Sequence, residues 1–320
     1  MKFFDFCAGI GGGRLGLEQN GLKCVGHSEI DLLTAKTYSY FFEDDNNYGD
    51  LTKIIPQELP NFDFLIAGFP CQTFSIVGNR KGFDDNRGLI IYYLANILKI
   101  KQPKLFLLEN VKGLLNHDKG NTLKIILNKL DEIGYNVFYQ VLNSKDYGVP
   151  QSWERIYLVG FRKDLNVTTF EFPLTSNLNT DFNQYLDDEN NNILDLENPT
   201  FQKYLANKYN NNTYDINKLL ETDNVVIDWR QSDLRVYDNL FPTLRTGRHG
   251  LLYIKNHKLH KLSGYEALLL QGFPKTIAQK SKEIKWLSNG KLLSQAGNEM
   301  TVNVISAISK KMLNTIKDKK

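Results

Sequence analysis

The chain has 320 residues, 42% of them hydrophobic and 23% charged, with a formal net charge of +3. That length allows a substantial core, with one large domain and a smaller one, and no apolar run is long enough to span a membrane. Three cysteines in so long a chain argue against a disulfide framework and fit a reducing cytoplasm. The opening, MKFFDFCAGIGG, runs from a strand into a glycine turn without the long apolar centre of a secretory leader.

Lys2 to Phe6 predicts a short strand, followed by the turn Cys7-Ala8-Gly9-Ile10-Gly11-Gly12-Gly13 and an amphipathic helix to about Asn20. Glycines let the backbone turn sharply and let a ligand come close to the chain. Residues 11–16 fit the spacing GxGxxG, a weak signal alone. A strand over Lys23 to Ser28 ends at Glu29, where a carboxylate could hold a ribose diol. A helix from Asp31 to Phe42 follows, and Gly49-Asp50-Leu51 predicts another strand-end acid. Taken singly, each acid reads more readily as a helix cap or a solvated turn. A glycine turn followed by acids closing the next two strands points to nucleoside binding.

The run FDFLIA, Phe62 to Ala67, reads as a buried parallel strand. It delivers Gly68-Phe69-Pro70-Cys71-Gln72-Thr73-Phe74-Ser75 to a strand's C-terminal end, where open α/β sheets place chemistry. Cys71 there is either a nucleophile or a buried structural thiol. A polar, glycine-rich segment, 78–88, has the look of a loop. The helix predicted over Leu89 to Lys101 carries an apolar stripe of Leu89, Ile90, Tyr93, Leu94, Ile97 and Leu98 and is stopped by Pro103. A second apolar strand, Lys104 to Leu108, ends in Glu109-Asn110-Val111. Two neighbouring strands thus bring a thiol and a carboxylic acid to one sheet edge. A helix near Asn121 to Ile133 and strands at Asn136 to Leu142 and Arg155 to Gly160 continue the alternation, and the turn 147–155 feeds Arg155 into the last strand.

Near residue 163 the texture changes. Residues 163–223 carry 11 acids and 4 lysines, a net −7 that would repel phosphate. Residues 228–261 reverse this, with 7 Lys/Arg against 3 Asp, or +4. Arg230, Gln231, Arg245 and Arg248 in that segment suit base and phosphate contacts, because Arg and Gln pair bidentately with guanine and adenine edges. A C-terminal helix over about Thr301 to Ile316 is expected to pack back on the first domain.

Taken together and in this order, DFCAGIGGG, Glu29, Asp50, GFPCQTFS, LLENV with Glu109, Gln151 to Arg155, FPTL, LLLQGFP and AGNEMTVNV resemble the bacterial C5-cytosine DNA methyltransferases of restriction–modification systems, the HhaI methylase type. The resemblance runs from Lys2 to about Leu165 and from Phe241 to the end. It implies a Rossmann-like, doubly wound α/β fold that binds S-adenosylmethionine, with a smaller target-recognition domain. The implied division is 1–163 plus 298–320 for the catalytic domain and 164–297 for the small one. It implies Cys71, Glu109 and Arg155 as catalytic residues. The implied cofactor contacts are Phe6, Cys7, Gly9, Ile10, Gly11, Gly12, Glu29, Ile30, Asp50, Leu51, Gly68, Pro70, Ile90, Asn298 and Met300. Gln72, Ser75, Val77 and Arg87 join Arg230, Gln231, Arg245 and Arg248 as expected DNA contacts. No metal is expected, and the partner would be double-stranded DNA, bound by a cytoplasmic monomer with a cognate endonuclease encoded nearby.

The chemistry agrees. C5 of cytosine is a poor nucleophile until a thiolate adds at C6, and a carboxylic acid at N3 can drain the resulting charge. A free thiol has a pKa of about 8.5, so Cys71 needs help from a dipole, the substrate or a nearby arginine. A base inside a duplex cannot reach such a pocket, so flipping is implied, with the 78–88 loop closing over DNA. The chain departs from the family at Cys7, usually Phe; at Trp153, usually Arg; and at Glu299, usually Ser. A nicotinamide dehydrogenase would share the glycine turn and Glu29 without needing Cys71 and Glu109. An RNA-directed cousin would carry a Pro-Pro-Cys, and a catalytically dead DNA-binding module would lack Cys71 or Glu109.

Overall fold

The structure, a computed structural model, is described for residues 1–69, 90–175, 181–206, 214–229, 234–244, 246–247 and 250–317. The chain divides into two compact units. One comprises Met1–Asn143, Glu154–Thr175 and Glu299–Lys320, and the other Ser144–Trp153 and Ser176–Asn298.

The first unit begins with β1 (Lys2–Phe6), α1 (Gly12–Glu18), β2 (Lys23–Ser28) and α2 (Leu32–Phe42). It continues through β3 (Phe64–Gly68), α3 (Ile90–Lys101), β4 (Leu105–Val111), α4 (Asn121–Glu132), β5 (Tyr135–Asn143) and β6 (Glu154–Arg162). Among the described residues these strands form one sheet in the order β2-β1-β3-β4-β6-β5. Pairings from β2 to β4 are parallel, and β6 runs antiparallel to both β4 and β5. Alternation along the strands sorts residues to two faces. Phe4, Phe6, Leu65, Ala67, Phe106 and Leu108 enter a core closed by Ile91, Leu94 and Leu98 of α3 and Ile126 and Leu130 of α4. Asp5 and Ile66 face the other way, where Gly13 of α1 comes close to both. Helices on both faces explain why β3 and β4 read as unbroken apolar runs.

Three sequence expectations change in detail. The stripe of α3 buries Leu94, Ile97 and Leu98 as expected and adds Ile91 and Ala95, while the expected Ile90 and Tyr93 pack on the core only partly buried; Leu89 lies outside the described residues. The strand carrying Glu109 does not stop at Leu108 but runs to Val111, since β6 pairs with it through Val111↔Arg155. Asp50 does not end a strand. Its side chain caps a short 3-10 turn, Leu51–Lys53, accepting from the Thr52 amide at 2.9 Å.

In the second unit, α5 (Pro199–Leu205) and α6 (Ile216–Leu220) precede β7 (Val225–Trp229), β8 (Leu234–Asp238), β9 (Leu251–Lys255) and β10 (Lys258–Lys261). The strands form an antiparallel sheet in the order β10-β9-β7-β8, packed around Leu194, Phe201, Ile227, Leu252 and Leu259. Then come α7 (Gly264–Leu270), α8 (Lys275–Glu283) and α9 (Asn289–Ala296). The chain returns to the first unit as α10 (Val302–Lys317), which buries Val302, Ile305 and Ile308. Asn20, just beyond α1, donates to Ser306 O at 2.8 Å and Ser309 Oγ at 2.9 Å on α10.

A Cβ at Gly16 would sit 2.5 Å from Ile305 Cβ, so α1 and α10 touch through a glycine. Gly16→Leu is therefore expected to destabilise the protein by about 2 kcal/mol through overpacking, read as a lower urea midpoint.

Candidate active site

Strand order reverses between β1 and β3, since the chain proceeds from β1 outward to β2 and then back past it to β3 and β4. Such a reversal leaves a crevice outside the strands' C-terminal ends, because the flanking connections leave in opposite directions. The turn after β1 lines this point with left-handed backbone at Gly9 (φ 56°) and Gly11 (φ 98°). Two carboxylates hold it. Glu29 accepts from the Gly9 amide at 3.0 Å and from the Asp31 amide at 2.8 Å. Glu299 accepts from the Ile10 amide at 2.5 Å and from the Gly12 amide at 2.9 Å. A Cβ at Gly9 would collide with the Glu299 carboxylate, and one at Gly12 with the Met300 carbonyl.

The second half of the site lies at the ends of β3 and β4. Their parallel register sets Gly68 beside Glu109. The Phe69 amide donates to the Glu109 carbonyl at 3.2 Å, and the buried Asn110 side chain donates to the Phe69 carbonyl at 2.8 Å. These bonds fix the chain direction just before Pro70. Arg155, diagonally across the antiparallel β4/β6 pair, places Nε 2.7 Å from Glu109 Oε1. A Cβ at Gly68 would lie 3.4 Å from Met300 Cγ and 3.6 Å from Glu109 Oε2, so the two halves meet there.

Burial dominates the electrostatics. It raises the Glu109 carboxyl above its ordinary range, with the Arg155 guanidinium offsetting part of the effect. It raises Glu29 as well, against the amides of Asp31 and Gly9. Glu299, only 3% exposed, is pushed up to about 8 chiefly by burial; the Ile10 and Gly12 amides oppose the rise, and the nearby Glu29 and Glu109 add to it. Asp5 goes well up for the same first reason, with Glu299 second. The Cys7 thiol is pushed up to about 12 by burial and then by Glu29 and Asp5, and Cys24 to about 11, chiefly by burial. Neither is a thiolate at neutral pH, so neither can serve as a nucleophile.

The expected residues divide accordingly. Cys7, Gly9, Ile10, Gly11, Gly12, Glu29, Gly68, Glu109, Arg155 and Met300 gather at this edge of the first unit. Ile30, 67% exposed, follows Glu29 directly. The Phe6 ring is sunk in the core, stacked on Phe4 at 4.3 Å, and leaves only its backbone to a ligand. Leu51 is likewise in the core, and Ile90 packs against it from the start of α3. Asn298 belongs to the second unit, where its side chain accepts from Thr246 Oγ1 at 2.5 Å. Pro70, Cys71, Gln72, Ser75, Val77, Arg87, the rest of the 78–88 segment, Arg230, Gln231, Arg245 and Arg248 lie outside the described residues. Sequence reasoning missed Asn110 and Asn47, whose side-chain oxygen accepts from the Glu29 amide at 2.9 Å. It noted Glu299 only as a departure; an acid directly after Gly297-Asn298 was the available signal.

The profile of the C-5 cytosine-specific DNA methylase family matches residues 1–314. The chain belongs to that family. Membership carries the reaction, methylation of cytosine C5 in DNA. The type II methyltransferase M1.ScrFI of Lactococcus lactis subsp. cremoris is 38% identical over 100% of this chain and 79% of its own length. M.BsuFI of Bacillus subtilis is 50% identical over 54% of this chain, and that match spans 42% of M.BsuFI. The crystal structure of a putative DNA modification methyltransferase from an E. coli prophage superposes with a TM-score of 0.71 at 20% identity, covering 99% of each chain, and shows the same fold. In this C-5 cytosine methylase no helix among the described residues is long and apolar enough to cross a membrane.

The raised Glu299 carboxyl has a consequence for stability. Its folded pKa of about 8 exceeds the ordinary 4.5, so the folded state holds the proton more tightly. The associated stability is complete below the ordinary value and is lost as pH rises through the folded one. The stability of the wild type, read as its thermal unfolding midpoint, should therefore fall relative to Glu299→Gln as pH is raised across that window, by at most about 1.4 kcal/mol per pH unit.

Proposed function

We propose that this chain flips a cytosine out of a specific duplex sequence and methylates it through Cys71, Glu109 and Arg155, as the modification enzyme of a type II restriction–modification system. The observation that carries this reading is the buried Glu109–Arg155 pair beside Gly68, on the strand that leads directly to Pro70-Cys71. An acid raised by burial can hold a proton where cytosine N3 needs one, and the guanidinium keeps it oriented. Cys71 adds to C6 of the flipped ring, and Glu109 donates to N3 as that bond forms, so charge does not accumulate on the base. Once C5 has taken the methyl group, N3 gives its proton back to Glu109, and loss of the C5 proton with departure of Cys71 restores the ring. Arg155, whose guanidinium has donors besides the Nε given to Glu109, would also donate to the base's O2.

The residues fit S-adenosylmethionine. The glycine turn lets a ligand approach the backbone, since a Cβ at Gly9 or Gly12 has no room. Glu29, whose oxygens each retain a second lone pair, suits a ribose diol. Glu29, Glu109 and Asp5 surround the crevice with acidic groups suited to a cation. When bound, S-adenosylmethionine supplies the methyl group on a sulfonium sulfur. Asp50 and Ile30 would border the nucleoside, with Gly68 and Met300 at the methyl-bearing end. The second unit is the target-recognition domain in this reading, with Arg230, Gln231, Arg245 and Arg248 reading bases or phosphates, and Gln72, Ser75, Val77 and Arg87 contacting DNA from the 78–88 side. The enzyme would act as a cytoplasmic monomer, with a cognate endonuclease encoded nearby.

A duplex carrying 5-fluorocytosine at the target traps the covalent step. With donor present, the wild type should form an adduct that peptide mapping assigns to Cys71, and Cys71→Ser should form none. Failure to trap any duplex sinks the mechanism. Glu109→Gln should lower the methylation rate about a hundred- to ten-thousand-fold, the range for a lost general acid. Bisulfite sequencing of DNA from an expressing host identifies the target, and exchanging residues 228–250 for those of a relative should change it; an unchanged target refutes the assignment of specificity to that segment.

A further inference from the structure

The Ile10 and Gly12 amides point into one concavity of the glycine turn, and both are taken by a single side chain, Glu299. Successive backbone amides around left-handed glycines form a nest for one anion. The only anionic group of S-adenosylmethionine is the α-carboxylate of its methionyl end. Resting on the reading that this turn holds the methyl donor, we propose that Glu299 is an internal competitor for that carboxylate, so that the donor docks fully only when the Glu299 side chain leaves these two amides.

Several features support a competitor rather than a permanent wall. Both oxygens of Glu299 are spent on the amides that an incoming carboxylate would use. The charged groups facing it are themselves acidic: Glu29 after β2, Glu109 on β4 and Asp5 on β1. Arg155 is engaged with Glu109, and Arg14 with Glu18 and Asp44. A second carboxylate brought beside Glu299 therefore meets like charge, and the repulsion grows as Glu299 ionises, near pH 8. The competitor thus weakens donor binding most on the alkaline side.

Titration calorimetry with S-adenosylhomocysteine tests this without turnover, since that ligand keeps the carboxylate and carries no methyl to transfer. Wild type, Glu299→Ser and Glu299→Gln are compared between about pH 6.5 and 9, with circular dichroism confirming the fold of each. Glu299→Ser is expected to bind about tenfold more tightly at the alkaline end, the scale of one charge-assisted hydrogen-bond site regained. Glu299→Gln, which cannot ionise, should lose the extra pH dependence while sharing that of the ligand's own amine. A decarboxylated analogue should gain nothing from Glu299→Ser. Equal or weaker binding by Glu299→Ser overturns the proposal and makes Glu299 a brace for the turn or a partner for the ligand's ammonium. If none of the folded proteins binds S-adenosylhomocysteine, the donor-site reading itself fails and takes the proposal with it.

Discussion

The close approach of the glycine turn after β1 to the chain at Glu299 and Met300 is the constraint on which the site depends. These segments are separated by 287 residues between Gly12 and Glu299, yet they meet with no room for a Cβ on Gly9 or Gly12. A contact that tight needs both backbones held from outside. The packing of α10 on α1, again through a glycine, provides that hold, and Asn20 secures it with hydrogen bonds to Ser306 and Ser309. The C-terminal helix is thus part of the machinery that shapes the turn, although it contributes little chemistry itself.

Burial of acids is the second organising effect. Asp5, Glu29, Glu109 and Glu299 all rise above their ordinary range, and in each case burial is the largest cause. Such a set is unfavourable for stability and useful for function, because desolvated acids hold protons and attract cations. Arg155 tempers one of them, Glu109, and so keeps it oriented between protonated and ionised states. The same burial silences Cys7 and Cys24 as nucleophiles.

The three departures from the family pattern have different physical meanings. Trp153 is almost wholly buried in the second unit, so its large apolar side chain serves packing. Cys7 sits in left-handed backbone (φ 51°) beside the glycine turn, a conformation that strains most side chains and is cheaper for a small one than for a bulky one. Glu299 alters the chemistry of the turn itself by placing a carboxylate on its amides.

Much of this protein was written in local sequence. Apolar runs over 64–68 and 105–108 mark central strands because strands covered on both faces need no polar alternation. The glycine turn, the place of Glu29 just after β2 and the arrival of Glu109 on the strand beside β3 followed from the same punctuation, as did the family. Other features depended on register and on distance in the chain. Asp50 became a cap because a 3-10 turn, not a strand, follows Gly49. The Glu109–Arg155 pair exists because β6 lies antiparallel to β4 in one register, which no local pattern specifies. The role of Glu299 arose only when a segment near the C-terminus folded against the first turn, for a hydrogen bond to a backbone amide leaves no trace in the sequence of either partner. Local composition chose the elements; only close packing between distant segments decided which buried groups face one another and how their charge is held.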